Sequence, residues 1–78
     1  MNPMNVVDVL IHVNEALDKN QRVQLEQTMR DLDGVIAPRF NPAHPHLMLV
    51  AFNPSHVQSK VLLQHVNSAG YHAQLIGV

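Results

Sequence analysis

Residues 46–52 read HLMLVAF, and this stretch decides the fold of the chain. It is apolar on both faces, which is typical of a central strand in a sheet. Upstream, Val35–Asn41 (VIAPRFN) forms another short extended segment, and its Pro38 indicates a sheet edge because proline cannot donate to the strand ladder. Residues 42–45 (PAHP) predict the turn between the two segments. The middle of the sequence therefore predicts a hairpin with one edge strand and one central strand.

The N-terminal part of the chain predicts a strand followed by a helix. Residues 6–13 (VVDVLIHV) alternate along a segment rich in β-branched residues, which indicates a strand with one buried face. A helical stripe of apolar residues follows. It comprises Leu25, Met29 and Leu32. Asp18 and Gln21 have the spacing of a capping box, and Gly34 suits a left-handed stop, so the first helix is predicted over residues 19–33.

The C-terminal part predicts a second helix and a last strand. Ser59 is the predicted N-cap of this helix, and Gly70 lies beyond its end. Its inward-facing residues are Leu62, Leu63, Val66 and Ala69. Residues 71–78 (YHAQLIGV) predict the last strand. The order β-α-β-β-α-β predicts an α+β, ferredoxin-like fold: a four-stranded antiparallel sheet in the order 4-1-3-2 with two helices on one face.

Composition limits the chain to a small domain without thiolate chemistry. Its 78 residues contain no cysteine, which excludes disulfides, cysteine-ligated zinc and iron–sulfur clusters. Five Lys and Arg against six Asp and Glu provide no basic surface for nucleic acid or anionic membranes. We expect one domain over residues 1–78 with residues 1–5 frayed, no membrane insertion and a cytoplasmic location. No nucleophile with a base, paired carboxylates or phosphate-binding glycine loop is apparent, so we do not expect an enzyme.

Four stretches lie at the spacing of a known domain. They are residues 32–35 (LDGV), residues 50–54 (VAFNP), the helix that carries Leu62, Leu63 and Val66, and residues 69–73 (AGYHA). Together they resemble the heavy-metal-associated domain, which occurs in small copper chaperones and in metal-transporting P-type ATPases. The match extends from about Val6 to Ile76. It implies the ferredoxin-like fold and a role in metal handling.

The metal loop of that family differs from the corresponding stretch of this chain. The family's ligands lie in a Gly-Met-x-Cys-x-x-Cys loop between the first strand and the first helix. Counting back from Gly34, the resemblance places the two cysteines on Asp18 and Gln21 and the methionine on Ala16. Soft ions such as Cu(I) prefer sulfur ligands, which these residues do not supply. The two-sulfur site cannot form here, and capping explains Asp18 and Gln21 without a metal.

Histidine is the metal-ligating residue type that remains, and the chain has six. The predicted topology brings the end of the first strand, the turn between the second and third strands, and the start of the fourth strand to one end of the domain. The histidines at these places are His12, His44, His46 and His72, with His65 pointing to the same end and His56 at the opposite end. Strand alternation predicts that His12 and His72 face each other on the helix-free side, with Cβ atoms about 4.5–5.5 Å apart. We therefore predict an imidazole site at His12 and His72, completed by His44, His46 or a second chain.

The helix-free side of the predicted sheet also collects apolar side chains. They are Leu10, Leu47, Leu49, Ala51 and Ile76. An exposed patch of this kind usually has a cover. A second copy packed sheet against sheet is the first expectation, which predicts a homo-oligomer. A haem lying on the patch is the other expectation, with His12 or His72 as its axial ligand.

These features lead to three hypotheses for function. The first is a small binding protein that holds a transition metal through histidines, with Zn, Cu(II), Ni, Co and Fe as candidate ions and a metal transporter or a cofactor-receiving protein as its partner. The second is the binding of haem b on the open sheet face. The third is a ligand-free interaction or assembly module that uses the same face.

Overall fold

The predicted fold is confirmed by a computed structural model that describes residues 5–77. The elements are β1 (Val7–Val13), α1 (Lys19–Arg30), β2 (Val35–Asn41), β3 (His44–Phe52), α2 (Ser59–Ser68) and β4 (Ala73–Gly77). The sheet order is β2-β3-β1-β4, which is the predicted order read from the other edge, and every strand pair is antiparallel. Residues 1–4, where we predicted most of the frayed N-terminus, lie outside the described part. Within residues 5–77, no helix combines the length and the apolar character needed to cross a membrane.

The core lies between the helices and one face of the two central strands. β1 pairs with β3 from Val7 opposite Phe52 to His12 opposite Leu47. Because side chains alternate along a strand, every second residue of β1 and β3 points toward the helices. The buried core residues are Val9, Ile11, Val13, Leu17, Leu25, Met29, Phe40, Met48, Val50, Phe52, Val57, Leu62 and Val66. This arrangement confirms two predictions from the sequence: the first strand buries one face, and the third strand is central in the sheet.

The opposite face of the sheet carries the apolar residues expected there, with one difference. Leu10 pairs with Leu49, and Leu49 is 43% exposed. An irregularity in the β1–β4 pairing then places Gly77 opposite Leu10. Ile76 is 53% exposed but has no partner on β1, so regular alternation does not assign it to the patch.

Two predicted boundaries were wrong by two or three residues. α1 ends at Arg30 instead of residue 33, because the N–H of Leu32 bonds to Met29, three residues back, and tightens the last turn. β3 begins at His44, because the Asn41 side chain accepts a hydrogen bond from the Ala43 N–H and shortens the hairpin turn. The predicted four-residue turn at residues 42–45 is therefore wrong.

The ends of α2 and β4 also differ from the prediction. Gln58, and not Ser59, is the N-cap of α2, because its carbonyl accepts the first helical hydrogen bonds, from Val61 and Leu62. β4 begins at Ala73 instead of residue 71. Its predicted last residue, 78, lies outside the described range.

The loop between β1 and α1 is fastened at both ends by side chains. At the helix, Asp18 Oδ1 accepts a hydrogen bond from the Gln21 N–H at 2.8 Å, and Gln21 Oε1 accepts one from the Asp18 N–H at 2.9 Å. The predicted capping box is therefore confirmed. Toward β4, the Glu15 carboxylate accepts hydrogen bonds from the His72 N–H at 2.9 Å and from His72 Nδ1 at 2.6 Å. These bonds, the side-chain bond first, lower the pKa of Glu15 below its ordinary value.

Gly34 and Gly70 both adopt the left-handed conformation, with φ of +95° and +102°. They differ in their surroundings. A Cβ placed on Gly34 would lie 2.8 Å from the Cβ of His56 and 2.9 Å from a methyl group of Val57. A Cβ placed on Gly70 would meet no atom within 4 Å. The turn before β2 therefore requires glycine for both conformation and space.

We predict that Gly34→Ala destabilises the protein more than Gly70→Ala. Backbone strain alone costs Gly70→Ala about 1 kcal/mol. Gly34→Ala has the same strain and a contact with His56 and Val57 that is too close, which adds about 1–3 kcal/mol. Urea denaturation of both variants measures the difference in unfolding free energy. Equal losses would contradict the close approach at Gly34.

A second prediction concerns the Glu15–His72 pair. Since the pKa of Glu15 is lowered in the folded protein, its contribution to stability is present above its ordinary pKa of 4.5 and is lost as the pH falls through the folded-state value. We expect Glu15→Gln to lower the urea midpoint at pH 7, with the difference from wild type fading toward pH 3. Asp33→Asn, at an exposed carboxylate, is the matched control and removes the same charge. A difference that persists at pH 3, or that Asp33→Asn reproduces, would contradict the assignment.

Candidate metal site

Two histidines meet at the end of the central strand pair. His12 lies near the end of β1 and His46 near the start of β3. Their rings are stacked, with centroids 5.6 Å apart and planes inclined by 14°. Both side chains are half-buried. The β1–β3 pairing ends with His12 opposite Leu47, so His46 lies just past the last pair, where the Val13 carbonyl oxygen holds its ring.

Hydrogen bonds assign the proton on each of the two rings. His46 Nδ1 lies 2.7 Å from the Val13 carbonyl oxygen, which can only accept, so Nδ1 carries the hydrogen. His12 Nδ1 lies 3.1 Å from Asn14 Oδ1 and 3.3 Å from Gln74 Oε1, and it donates to these amide oxygens. In the neutral form of both rings, Nε2 therefore keeps its lone pair. Metal-binding histidines commonly have this arrangement, with Nδ1–H held by a carbonyl and Nε2 toward the ion.

A shallow depression of about 300 Å³ adjoins the two rings. Its lining residues are His12, Ala43, His44, Pro45, His46 and Leu47. Three of the four predicted ligands, His12, His44 and His46, therefore border one surface feature. His44 is exposed in the first residue of β3. Within residues 5–77, the His44 ring makes no hydrogen bond.

The predicted pairing of His12 with His72 was wrong. Gln74, and not His72, lies opposite His12 in the β1–β4 register. His72 is two residues earlier, where its carbonyl accepts a hydrogen bond from the Asn14 N–H at 2.8 Å and its ring bonds to Glu15. The side chain of His72 is 81% exposed. His72 therefore lies beside the loop between β1 and α1, apart from the stacked pair.

The remaining histidines stand outside this group. His65 lies in the last turn of α2, as predicted, but does not line the depression. His56 lies beside Gly34, in agreement with its predicted position away from the others. Over residues 5–77, the structure contains no cluster of three or more His, Cys, Asp or Glu side chains that could hold an ion. Of the four predicted ligands, His12 and His46 thus form a stacked pair, His44 lines the same depression, and His72 lies apart.

The helix N-terminus is chemically unsuited to a soft ion. Asp18 and Gln21 bond to each other's backbone in the capping box. Met29 and Met48 are completely buried in the core. Among the described residues, no sulfur atom is therefore presented at the surface.

Binding of one ion by both rings would require them to leave the stacked arrangement. Two nitrogen ligands of one zinc ion are at most about 4 Å apart, since each bond is about 2.0–2.1 Å. With ring centroids 5.6 Å apart, the Nε2 edges must turn toward each other when an ion binds. Imidazole nitrogens suit Zn²⁺, Cu²⁺ and Ni²⁺.

Sequence reasoning missed Asn14 and Gln74, the two amides that orient His12. Asn14 lies two residues from His12, which is the spacing of neighbours on one face of a strand. Gln74 had no comparable signal, because its contact with His12 depends on the register of β4.

Comparisons with known proteins define the fold. No protein-family model matches the chain, and no curated protein matches its sequence significantly. Solved structures do match its fold. The N-terminal domain of a potential copper-translocating P-type ATPase from Bacillus subtilis, in the Cu(I)-loaded state, has a TM-score of 0.83 at 19% identity and covers 94% of this chain and 90% of its own.

Two further solved structures agree. The apo form of the copper chaperone of Enterococcus hirae has a TM-score of 0.78 at 20% identity, covering 87% of this chain and 98% of its own. Oxidized MerP from Ralstonia metallidurans CH34 has a TM-score of 0.80 at 14% identity, covering 91% of this chain and 97% of its own. The chain therefore has the ferredoxin-like fold of heavy-metal-associated domains.

Proposed function

We propose that this protein is a small metal-handling protein that binds a divalent transition-metal ion through Nε2 of His12 and His46. The observation that carries the proposal is the stacked pair itself: two rings 5.6 Å apart, each with Nδ1 engaged by an oxygen acceptor. That arrangement leaves the Nε2 lone pair available on each of two rings that border one depression. A pair of oriented, neutral imidazoles is a recognised donor set for such ions.

The choice of ion follows from the available donor atoms. The solved neighbours include a domain in its Cu(I)-loaded state and a copper chaperone. This chain has no cysteine, and Met29 and Met48, the methionines within residues 5–77, are buried. Imidazole nitrogen favours Zn²⁺, Cu²⁺ and Ni²⁺, whereas Cu(I) prefers sulfur. We therefore propose a divalent cargo for this chain, with Co²⁺ and Fe²⁺ as weaker candidates.

The role we propose is binding and transfer, without catalysis. Two protein ligands leave coordination positions that another molecule can occupy, which suits delivery to a transporter or to a cofactor-receiving protein. His44 borders the same depression, and we keep it as a candidate third ligand supplied by the first residue of β3. His72 is a weaker candidate, because its ring is held by Glu15.

We expect the protein, expressed without a polyhistidine tag, to bind Zn²⁺ in calorimetric titrations, and His12→Ala or His46→Ala to weaken binding roughly tenfold or more. Removing a second-shell partner of a ligand already costs about 10–100-fold, and removing the ligand itself costs at least as much. Lowering the pH should weaken binding, because protons compete for the same imidazole nitrogens. Nitrogen chemical shifts of the two rings should report Nδ1–H in the free protein and a change at Nε2 on binding.

His56→Ala is the matched control, because His56 lies beside Gly34, away from the depression. This variant should bind zinc as wild type does. His72→Ala tests whether the ion is held by His12 and His46 or by His12 and His72. A loss of zinc affinity equal to that of His12→Ala would show that His72 is a ligand. Zinc affinity unaffected by His12→Ala and His46→Ala would overturn the proposal. Haemin uptake that depends on His12 and that zinc does not displace would favour the haem hypothesis instead.

A further inference from the structure

The stacked pair is an incomplete ligand set within one chain. Zinc in protein sites usually takes four ligands in a tetrahedron. His12 and His46 supply two, and no group of three or more ligating side chains lies close together in residues 5–77. Two coordination positions of a bound zinc ion therefore remain for donors other than His12 and His46. This step rests on the proposed function, because it takes metal binding by the pair as given.

Resting on that function, we propose that the missing donors come from a second copy of this chain, so that one divalent ion bridges His12 and His46 of two copies. A two-fold axis through the ion would supply four imidazole nitrogens from two identical surfaces. Such a self-complementary contact is the commonest form of homodimer. Because each copy carries a formal net charge of −1, a divalent ion between two copies offsets the charge of the pair.

The surface around the two rings suits such a contact. The depression is walled by Ala43, Pro45 and Leu47, which are apolar, and it contains no carboxylate. Leu47 also lines a neighbouring depression of about 250 Å³ that includes Leu10 and Leu49. The site therefore borders the exposed apolar face of the sheet. A second copy that brings its own histidines to the ion covers part of this face at the same time.

A bridging ion would fix how the two copies are arranged in the dimer. The apolar face alone would not fix that arrangement. The exposed leucines of the sheet provide area without direction, since apolar contact is not directional. Four metal–nitrogen bonds fix both orientation and distance. The ion thus selects one of the many ways in which two such faces can meet.

The test is the mass of the untagged full chain in sedimentation velocity at increasing ratios of Zn²⁺ to protein. We expect a monomer in EDTA and a dimer fraction that is largest at one ion per two chains. Excess zinc should reverse the association, because each chain then binds its own ion. Mg²⁺, which prefers oxygen ligands, should leave the monomer unchanged. His12→Ala and His46→Ala should abolish the zinc-dependent dimer, while His56→Ala keeps it.

Calorimetry on the same samples separates this inference from the proposed function. A stoichiometry of one half ion per chain supports the bridge. One ion per chain in a monomer, dependent on His12 and His46, leaves the function standing and overturns the bridge. If His44→Ala then lowers the affinity of that monomer, His44 completes the site within one chain. No zinc binding at all overturns both proposals.

Discussion

The antiparallel pairing of β1 with β3 is the constraint on which both the core and the site depend. Its register places Ile11 opposite Met48 toward the helices and His12 opposite Leu47 toward the open face. A shift of one residue would turn the core residues of one strand to solvent, which the burial of Ile11 and Met48 makes unfavourable. The free energy that buries the core thus also places His12 on the open face. Hydrogen bonds to Asn14 and Gln74 orient the His12 ring, and one to the Val13 carbonyl orients the His46 ring.

The start of α1 illustrates how one local interaction excludes another. By the family resemblance, Asp18 and Gln21 occupy the positions of the two cysteine ligands. In this chain each side chain is bonded to the other residue's backbone N–H. A good N-cap contributes about 1 kcal/mol, and a ligand role for either residue would sacrifice it. The same positions therefore serve the helix in this chain.

The elements and their order were predictable because each rests on local signals. Alternation in residues 6–13, the capping box at Asp18 and the edge position of Pro38 each have a physical cause that acts within a few residues. The site was only partly predictable. Topology alone predicted that His12, His44 and His46 lie at one end of the domain, since strand order determines which ends are neighbours, and all three line one depression. His72 failed because its position depends on the β1–β4 register, which pairs His12 with Gln74 and Val13 with Ala73 and leaves His72 beyond the last pair; no local residue pattern sets that register.

Orientation, and not proximity alone, distinguishes the stacked pair from histidines that merely share a surface. An imidazole free to rotate presents either nitrogen, and binding an ion then costs the entropy of choosing one. In His46 the backbone oxygen of Val13 has already made that choice, and Asn14 and Gln74 make it for His12. The Val13 carbonyl is the more rigid of these acceptors, because it belongs to a fully buried strand residue. In the proposed site, His46 is therefore the better oriented ring, and His12, held by two flexible amides, is the ring that we expect to turn toward an ion.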